Sequence, residues 1–376
     1  MNIERTSIKN IEKSLLNDKK IVVLYGARQT GKTTLSKALL GKIQGKVLRI
    51  NADELKYIDV FSSRDFSKMQ LLLEGSDVLF IDEAQRIPDL GINLKIIYEN
   101  MPNLKILVTG SSSFDLANSV NEPLTGRTST FKLFPISLQE LKGTTNVFDI
   151  QSRLEEFMVY GLYPALLQYA NASEKEKYLL ELSNSYLYKD VLELSNIRNS
   201  SQINNLLKLL AFQIGNLVSV NELAQNLGMS QETVASYIDL MEKSFIVFRL
   251  SGYSKNLRKE INKRDKIFFW DLGVRNSLIN NFAPLNLRND TGTLWENFMI
   301  VERLKYLSNN NQFVTPYFWR TYTGAELDYV EEKNGTLTAF EIKYKKAIKK
   351  APQTWIDNYG NNFDCITRDN FWEYVM

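Results

Sequence analysis

The fold of this 376-residue chain is decided by one stretch, Gly26-Ala27-Arg28-Gln29-Thr30-Gly31-Lys32-Thr33-Thr34. Its first eight residues have the form GxxxxGK[ST], in which the glycines let backbone N–H groups converge on phosphate oxygens. Lys32 adds a positive charge, and Thr33 offers a hydroxyl ligand for magnesium. An apolar run precedes the stretch and a helix-forming run follows, so the positive end of a helix dipole faces the anion. We predict a P-loop that binds ATP with Mg²⁺ through these nine residues, against the alternative of a chance match in a turn.

An acidic pair, Asp82 and Glu83, follows the later apolar run Val78–Ile81. A buried strand placed here delivers Asp82 toward magnesium, and Glu83 can orient or deprotonate an attacking water. The alternative is an acidic pair that merely caps a loop. With the P-loop upstream, we predict that Asp82 joins Thr33 as a metal ligand and that Glu83 is catalytic.

Two further features are candidates for contact with the γ-phosphate. The run Leu104–Val108 ends in hydroxyl side chains suited to sensing that phosphate, of which we prefer Ser111, although the sequence does not separate it from Thr109 or Ser112. An ordinary polar turn is the alternative. Arg127 can stabilise γ-phosphate charge, either in cis or from a neighbouring subunit, and a surface ion pair fits it equally well.

The composition limits the chemistry that is available. Hydrophobic residues make up 44% of the chain and charged residues 24%, there is no histidine, and Cys365 is the single cysteine. Ser-His triads and the usual zinc sites are therefore excluded, so hydrolysis must use carboxylates, lysine, hydroxyls and hard metal ions. No apolar run approaches the roughly 20 residues of a membrane span, and the polar N-terminus favours a cytoplasmic protein.

The pattern of elements changes along the chain. Apolar runs alternate with helical stretches in the first third, which predicts a parallel sheet with crossover helices. Ser137 and Glu140 form a capping-box pattern that opens a new helix after this core. A helical region follows from Leu154 to about Leu210. A short helix, a turn containing Gly228, a second helix from Ser230 and the β-prone Phe245–Leu250 then predict a winged helix-turn-helix.

The last segment combines carboxylates with a lysine. Asp328 lies on one predicted strand, and Glu341 and Lys343 lie on the same face of the next, with Glu296 on the preceding helix. Such carboxylates bind Mg²⁺ or Mn²⁺ through hard oxygens, and Lys343 can lower the pKa of a water or hold the phosphate. We predict Asp328 and Glu341 as metal ligands and all four residues as catalytic. Alternating charges on the exposed face of a hairpin would give the same pattern.

With these residues in view, the chain resembles, almost end to end, the AAA-family ATPases of bacteria and archaea that carry a C-terminal restriction-endonuclease-like domain. The resemblance is carried by Gly26–Thr34, by Asp82-Glu83-Ala84-Gln85-Arg86, by Tyr160-Gly161-Leu162-Tyr163-Pro164, and by the strand with Glu341-Ile342-Lys343. It implies an α/β protein with an AAA-type parallel sheet, a helical and winged-helix middle region, and an endonuclease-like α/β domain. It also implies DNA binding.

These inferences divide the chain into four segments. We expect an AAA-type P-loop core at 1–142, a helical connector or lid at 143–205, a winged helix-turn-helix at 206–285, and the restriction-endonuclease-like domain at 286–376. Two basic groups stand out: the first offers contacts to nucleic-acid phosphates, although a solvated charged face explains it equally well, and the second is locally basic in a chain whose net charge of +3 does not by itself imply nucleic acid. They are Lys255, Arg258, Lys259, Lys263 and Arg264 at the expected wing, and Lys343, Lys345, Lys346, Lys349 and Lys350 near the C-terminus.

Two functions remain open on this sequence. The leading hypothesis is a DNA-associated ATPase with a Mg²⁺- or Mn²⁺-dependent nuclease domain that serves in DNA processing or defence. The alternative is a non-nucleolytic nucleotide switch or scaffold whose C-terminal domain binds a protein partner. A small-molecule kinase fits poorly, because such an enzyme needs an acceptor pocket closed by a lid, and nothing after Asp82 suggests that pocket. The sequence leaves a monomer and a homo-oligomer open.

Overall fold

A computed structural model describes residues 3–111, 124–184, 200–254 and 264–376. Ser112 and the basic residues Lys255, Arg258, Lys259 and Lys263 lie outside these ranges. The chain divides into two compact units, an N-terminal unit of 4–134 with 243–245 and a C-terminal unit of 135–242 with 246–376 and Ile3. No helix in the described ranges is both long enough and apolar enough to cross a membrane.

The N-terminal unit is built on a five-stranded sheet. Its strands are β1 (Ile21–Tyr25), β2 (Val47–Asn51), β3 (Val78–Asp82), β4 (Lys105–Gly110) and β5 (Thr128–Lys132). Its helices in the described ranges are α1 (Ile8–Leu16), α2 (Lys32–Leu40), α3 (Leu55–Phe61), α4 (Phe66–Leu73) and α5 (Leu90–Asn100), with a 3-10 turn at Ala84–Arg86.

The strand order is β2-β3-β4-β1-β5, and every neighbouring pair is parallel. All five residues of β1 are buried, as a strand covered on both faces requires. Parallel strands end at the same edge of a sheet, so the segments after β1, β3 and β4 meet there. The predicted parallel sheet with crossover helices is confirmed.

The C-terminal unit joins many helices to a mixed sheet. Its helices in the described ranges are α6 (Leu138–Lys142), α7 (Val147–Ser152), α8 (Leu154–Tyr160), α9 (Ala172–Leu182), α10 (Ser200–Phe212), α11 (Val220–Leu227), α12 (Gln231–Lys243), α13 (Leu272–Leu278), α14 (Thr291–Asn309), α15 (Gln353–Tyr359) and α16 (Phe371–Val375). Its strands are β6 (Val247–Gly252), β7 (Lys266–Phe269), β8 (Thr315–Arg320), β9 (Glu326–Lys333), β10 (Thr336–Ile342) and β11 (Phe363–Ile366).

The six strands form one sheet in the order β11-β10-β9-β8-β6-β7. The hairpin partners β6 and β7 are antiparallel, and β6 also pairs with β8 in parallel at Ser251 and Gly252. Strands expected in two segments, 206–285 and 286–376, therefore share one sheet. The helix, the turn with Gly228 in the left-handed conformation, and the second helix are also present. Their assignment as a winged helix, and that of 286–376 as endonuclease-like, stay predictions.

The entry into the C-terminal unit is fixed by caps and by a buried ion pair. The capping box predicted at Ser137 and Glu140 is present at the start of α6. Glu302 and Lys305 on α14 form an ion pair of 2.7 Å, and both side chains are almost fully buried. Glu302 accepts a hydrogen bond from the Leu138 N–H at 2.6 Å, and Lys305 donates to the Ile136 carbonyl at 3.1 Å. Each charge thus has the partners that burial demands.

Candidate functional site

The P-loop connects the end of β1 to the start of α2, as its sequence predicts. Gly26 lies so close to the chain after β5 that a Cβ there would stand 2.0 Å from the Leu133 carbonyl oxygen, so no other residue fits. Lys32 opens α2, and its Nζ donates to the Gly26 and Ala27 carbonyls at 2.8 and 2.9 Å. The ammonium group is thereby held across the loop, where a phosphate chain would lie.

Arg5 stabilises this loop through hydrogen bonds. It was not identified from the sequence. Its guanidinium donates to the Thr30 carbonyl at 3.5 Å and to the Phe134 carbonyl at 2.5 Å. Thr30 in turn donates from its hydroxyl to the Ala27 carbonyl at 2.8 Å. Arg5 lies outside every motif, so only its near-complete burial in the folded chain marks it.

The predicted magnesium ligands lie side by side. The Thr33 hydroxyl donates to Asp82 Oδ2 at 3.0 Å, and the Asp82 carboxylate also accepts from the Thr109 hydroxyl. The Glu83 N–H donates to Asp82 Oδ1 at 3.2 Å, which fixes the orientation of the carboxylate. A hydroxyl and a carboxylate oxygen this close are the hard donor set that Mg²⁺ takes in nucleotide sites. The residues present therefore fit the ion.

Gln85 links Glu83 to Ser111, a connection that the sequence did not reveal. The Gln85 side-chain amide donates to Glu83 Oε2 at 2.6 Å and to Ser111 Oγ at 3.0 Å. Its carbonyl oxygen accepts from the Ser111 N–H at 3.3 Å. Glu83 itself has a φ of 54°, a left-handed conformation that costs a non-glycine residue energy. The available signals were that Gln85 stands two residues after Glu83 and that it lies in Asp82-Glu83-Ala84-Gln85-Arg86, one of the stretches that carry the family resemblance.

Arg127 lies away from these residues within its own unit. Its carbonyl accepts from the Ile21 N–H at the start of β1, whereas the P-loop follows the end of that strand, ~13 Å further along. Its side chain forms a half-exposed ion pair with Glu99 at 3.0 Å. The position does not fit a role in cis. A role in trans stays a prediction.

The C-terminal carboxylates and lysine do meet. Lys343 Nζ lies 2.6 Å from Glu341 Oε1 and 3.3 Å from Asp328 Oδ2. Asp328 Oδ2 also accepts from the Ile342 N–H at 2.8 Å, which holds β9 and the end of β10 in register. Burial of the Glu341 carboxyl and the nearby charge of Asp328 raise its pKa, although Lys343 partly offsets the rise. The three side chains thus form one charged cluster, which we call the carboxylate-lysine cluster.

Glu296 joins this cluster through residues that the sequence did not single out. Lys266 on β7 contacts Glu296 at 3.0 Å and Glu326 at 2.6 Å, and its own side chain is almost fully buried. Burial raises the pKa of Glu296 to about 7; the charge of Asp328 adds to the rise and Lys266 opposes it. Lys266 belongs to a different stretch of sequence, so no local spacing could have predicted it.

The cluster fits a divalent metal in part. Glu341 Oε2 is buried and has no hydrogen-bond partner in the structure as described, which suits an additional cation. Among the described residues, however, no group of three or more acidic, cysteine or histidine side chains converges as metal ligands do. Lys343 lies between the two carboxylates that were predicted to bind the ion. Glu341 and Asp328 would be the residues to hold it.

Comparisons with known proteins agree with the fold. Residues 18–142 match the AAA domain family, while 151–285 and 291–358 match two domains of unknown function, DUF8612 and DUF4143. The Walker-type ATPase of Pyrococcus abyssi has a similar fold, with a TM-score of 0.51 at 18% identity over 73% of this chain and 94% of that one. With the geometry of the P-loop and Asp82, the family match identifies residues 18–142 as an AAA-type P-loop ATPase domain.

Relatives extend over nearly the whole chain. An uncharacterized protein of Mycobacterium tuberculosis is 32% identical over 356 residues, which cover 91% of this chain and 74% of the relative. A Methanocaldococcus jannaschii protein, also uncharacterized, is 26% identical, and the match covers 91% of this chain and 81% of that relative. The chain belongs to the family of the mycobacterial protein.

Proposed function

We propose that the protein hydrolyses ATP with Mg²⁺ and uses the turnover to control a DNA-directed activity of its C-terminal unit. The ATP-hydrolysis part of this proposal rests on one observation, a group of hydrogen-bonded side chains at one edge of the parallel sheet. There Thr33 contacts Asp82, and Gln85 connects Glu83 to Ser111. Such a set holds a metal, a base and a phosphate sensor together.

In this proposal each residue has one task. The loop 26–34 binds the phosphates through its N–H groups, with Lys32 on the γ-phosphate side. A magnesium ion held by Thr33 and Asp82 would supply charge neutralisation on the phosphate oxygens. Glu83 takes the proton from the attacking water as the water oxygen bonds to the γ-phosphorus. The bond to the bridging oxygen breaks, and ADP and phosphate are the products. Gln85 acts through Glu83 and is a positioning residue.

The second half of the proposal concerns the carboxylate-lysine cluster. Asp328 and Glu341 both lie within 3.3 Å of Lys343, and burial and the charge of Asp328 raise the pKa of Glu296 beside them; this set supports metal-dependent cleavage of a phosphodiester. The next stretch of chain adds basic charge, because Lys345, Lys346, Lys349 and Lys350 are all exposed. Phosphate backbones attract such lysines without regard to sequence. DNA is therefore the substrate that we propose.

A second candidate function retains ATP hydrolysis but assigns no nuclease activity to the C-terminal unit. Lys343 and Lys266 already neutralise the carboxylates, and the described residues include no three-acid metal group. The cluster would then stabilise the sheet, and the C-terminal unit would bind a protein partner. In this version the ATPase is a nucleotide switch. Arg127, which lies away from its own P-loop, is available to a neighbouring copy in either version.

The test compares ATP hydrolysis and DNA cleavage in one set of proteins. We expect the parent to hydrolyse ATP with Mg²⁺, DNA to stimulate the rate, and Lys32→Ala to abolish both effects. With Mg²⁺ or Mn²⁺ the parent should cut DNA, and Glu341→Ala should not. If the parent and Glu341→Ala leave DNA equally intact while ATPase activity persists, the nuclease half is wrong and the switch stands.

A further inference from the structure

An open cleft of about 340 Å³ lies on the surface of the C-terminal unit, at the carboxyl ends of β10 and β11. Its lining includes Phe148 of α7, Gln151, Tyr344, Lys345, Arg368 and Asp369. Phe148 exposes 76% of its surface, although it is one of the most costly side chains to leave in water. A single exposed ring is common on protein surfaces, but this one lines a cleft together with Lys345 and Arg368.

The floor of the cleft is fixed by hydrogen bonds and stacking. The Arg368 guanidinium lies over the Tyr344 ring at 5.1 Å and donates to Glu155 at 3.3 Å. The Tyr344 hydroxyl donates to the same Glu155 carboxylate at 2.9 Å, and Gln151 holds the Arg368 carbonyl at 2.8 Å. A ligand would therefore meet a floor that is already ordered, with less entropy to lose on binding.

The cleft adjoins the carboxylate-lysine cluster along the chain. Tyr344 and Lys345 directly follow Lys343, and consecutive Cα atoms are only ~3.8 Å apart. Tyr344 also packs edge-on against Trp295 at 5.8 Å, and Trp295 precedes Glu296 on α14. The cleft and Lys343 are therefore within reach of the same DNA strand.

The charges around the cleft favour a polyanion. Glu155 offsets Arg368, and Asp369 adds a negative charge to the lining, but Lys345 leads into the exposed Lys346, Lys349 and Lys350. An exposed ring next to a run of lysines is the combination with which proteins bind unpaired nucleotides, because bases stack on the ring and phosphates contact the cations. A base within a duplex is already stacked and could not use Phe148.

We propose that this cleft binds one unpaired nucleotide of a DNA strand, next to the phosphate held at the carboxylate-lysine cluster. Its base stacks on Phe148, and the flanking phosphate contacts Lys345. The inference rests on the proposed DNA-directed function and specifies its substrate as a single strand, or a strand that is locally unpaired.

The experiment measures fluorescence anisotropy of a labelled single-stranded oligodeoxynucleotide with the full-length protein. We expect Phe148→Ala to weaken binding at least fivefold, within the range that loss of one stacked base gives, and Phe148→Trp to preserve it. The matched control is Phe313→Ala, because Phe313 lies in the same unit, is 86% exposed and is outside the cleft. It should bind within twofold of the parent.

Two results would overturn the proposal. If the parent binds DNA and Phe148→Ala binds like Phe313→Ala, the cleft is not the site, while DNA association stands. The stacking role is also wrong if Phe148→Ala weakens duplex and single-strand binding equally. Should the parent bind no DNA even at low salt, both the cleft and the DNA-directed function fail, and ATP hydrolysis is untouched.

Discussion

At the scale of single residues, Gln85 is the most informative side chain in the nucleotide site. It hydrogen-bonds to the proposed base Glu83 and to both the hydroxyl and the N–H of Ser111. Ser111 follows β4, the strand that separates β3 from β1. A phosphate that bound Ser111 would therefore compete for the amide that holds Glu83. This gives the site a direct route from phosphate contact to the position of the base.

Replacing Gln85 with alanine should lower kcat for ATP hydrolysis about tenfold and change KM less than threefold, since the lost bonds position the base and do not bind substrate. Steady-state kinetics would measure both constants. Gln70→Ala is the matched control, because Gln70 is exposed on α4, and it should behave like the parent.

A larger change in KM than in kcat would instead make Gln85 a nucleotide-binding residue. Glu83→Gln should cause the largest loss of kcat among these variants. We expect it to lower kcat by roughly 10²- to 10⁴-fold, the usual contribution of a general base.

At the scale of elements, α13 is held by a close contact with the end of α8. Gly273 in α13 is so near that chain that a Cβ would lie 2.0 Å from the Tyr160 carbonyl oxygen. Asp271 caps the same helix and also accepts from the Leu162 N–H at 2.8 Å. The backbone at Tyr160 and Leu162, in the Tyr160–Pro164 motif, is therefore held against the start of α13.

Gly273→Ala should destabilise the C-terminal unit by about 2 kcal/mol, because overpacking against backbone forces the helix to shift. Gly292→Ala is the matched control: Gly292 is also helical, in α14, and a Cβ there would meet nothing within 4 Å. It should leave stability unchanged or raise it by up to about 1 kcal/mol, as alanine favours helix. Chemical denaturation would measure both, and equal effects would contradict the packing argument.

Asp271 should also make stability depend on pH. Burial raises its pKa from 3.8 to about 6, and hydrogen bonds from Leu162 and Val274 only partly oppose the rise. The folded state then binds the proton more tightly than the unfolded state does, so the stability that Asp271 contributes is fully present below about pH 4 and is lost as pH rises through about 6. The loss is about 3 kcal/mol at most.

Denaturation of the C-terminal unit between pH 4 and 6 would measure this slope, and Asp271→Asn should flatten it. Asp290→Asn is the control, because the Asp290 pKa is about 2. Burial would raise that value, but Arg288 and Arg275 outweigh the burial. Asp290 therefore titrates below this pH range, and Asp290→Asn should leave the slope as it is in the parent. If Asp271→Asn also leaves the slope unchanged, another group is responsible for it.

At the scale of the whole molecule, the two units hold different chemistry. The N-terminal unit carries the P-loop and Asp82, and the C-terminal unit carries the carboxylate-lysine cluster and the cleft. If phosphates are the main contact, the affinity for DNA should fall steeply with salt, with a slope set by the number of lysines engaged. Anisotropy titrations between about 50 and 200 mM salt would measure that slope. Binding independent of salt would favour the protein-partner alternative.

The sequence by itself determined where the P-loop lies, between β1 and α2, and that Thr33 and Asp82 meet at the end of the strands. A phosphate loop needs glycines, a lysine and a hydroxyl at fixed local spacing, and the buried strands that deliver Asp82 and Ser111 are continuous apolar runs. The carboxylate-lysine cluster was also predictable in part, because Glu341 and Lys343 alternate on one strand and Asp328 lies on its hairpin partner.

Only the tertiary structure decided the rest. Arg5, Gln85 and Lys266 reach their partners across distant segments or through side-chain orientation, which no local period encodes. The position of Arg127 at the start of β1, away from the P-loop, depends on strand register. The single sheet shared by β6–β11 likewise depends on long-range pairing. Local spacing sets which groups a short motif presents, whereas contacts between distant segments arise from burial and backbone pairing of the whole chain.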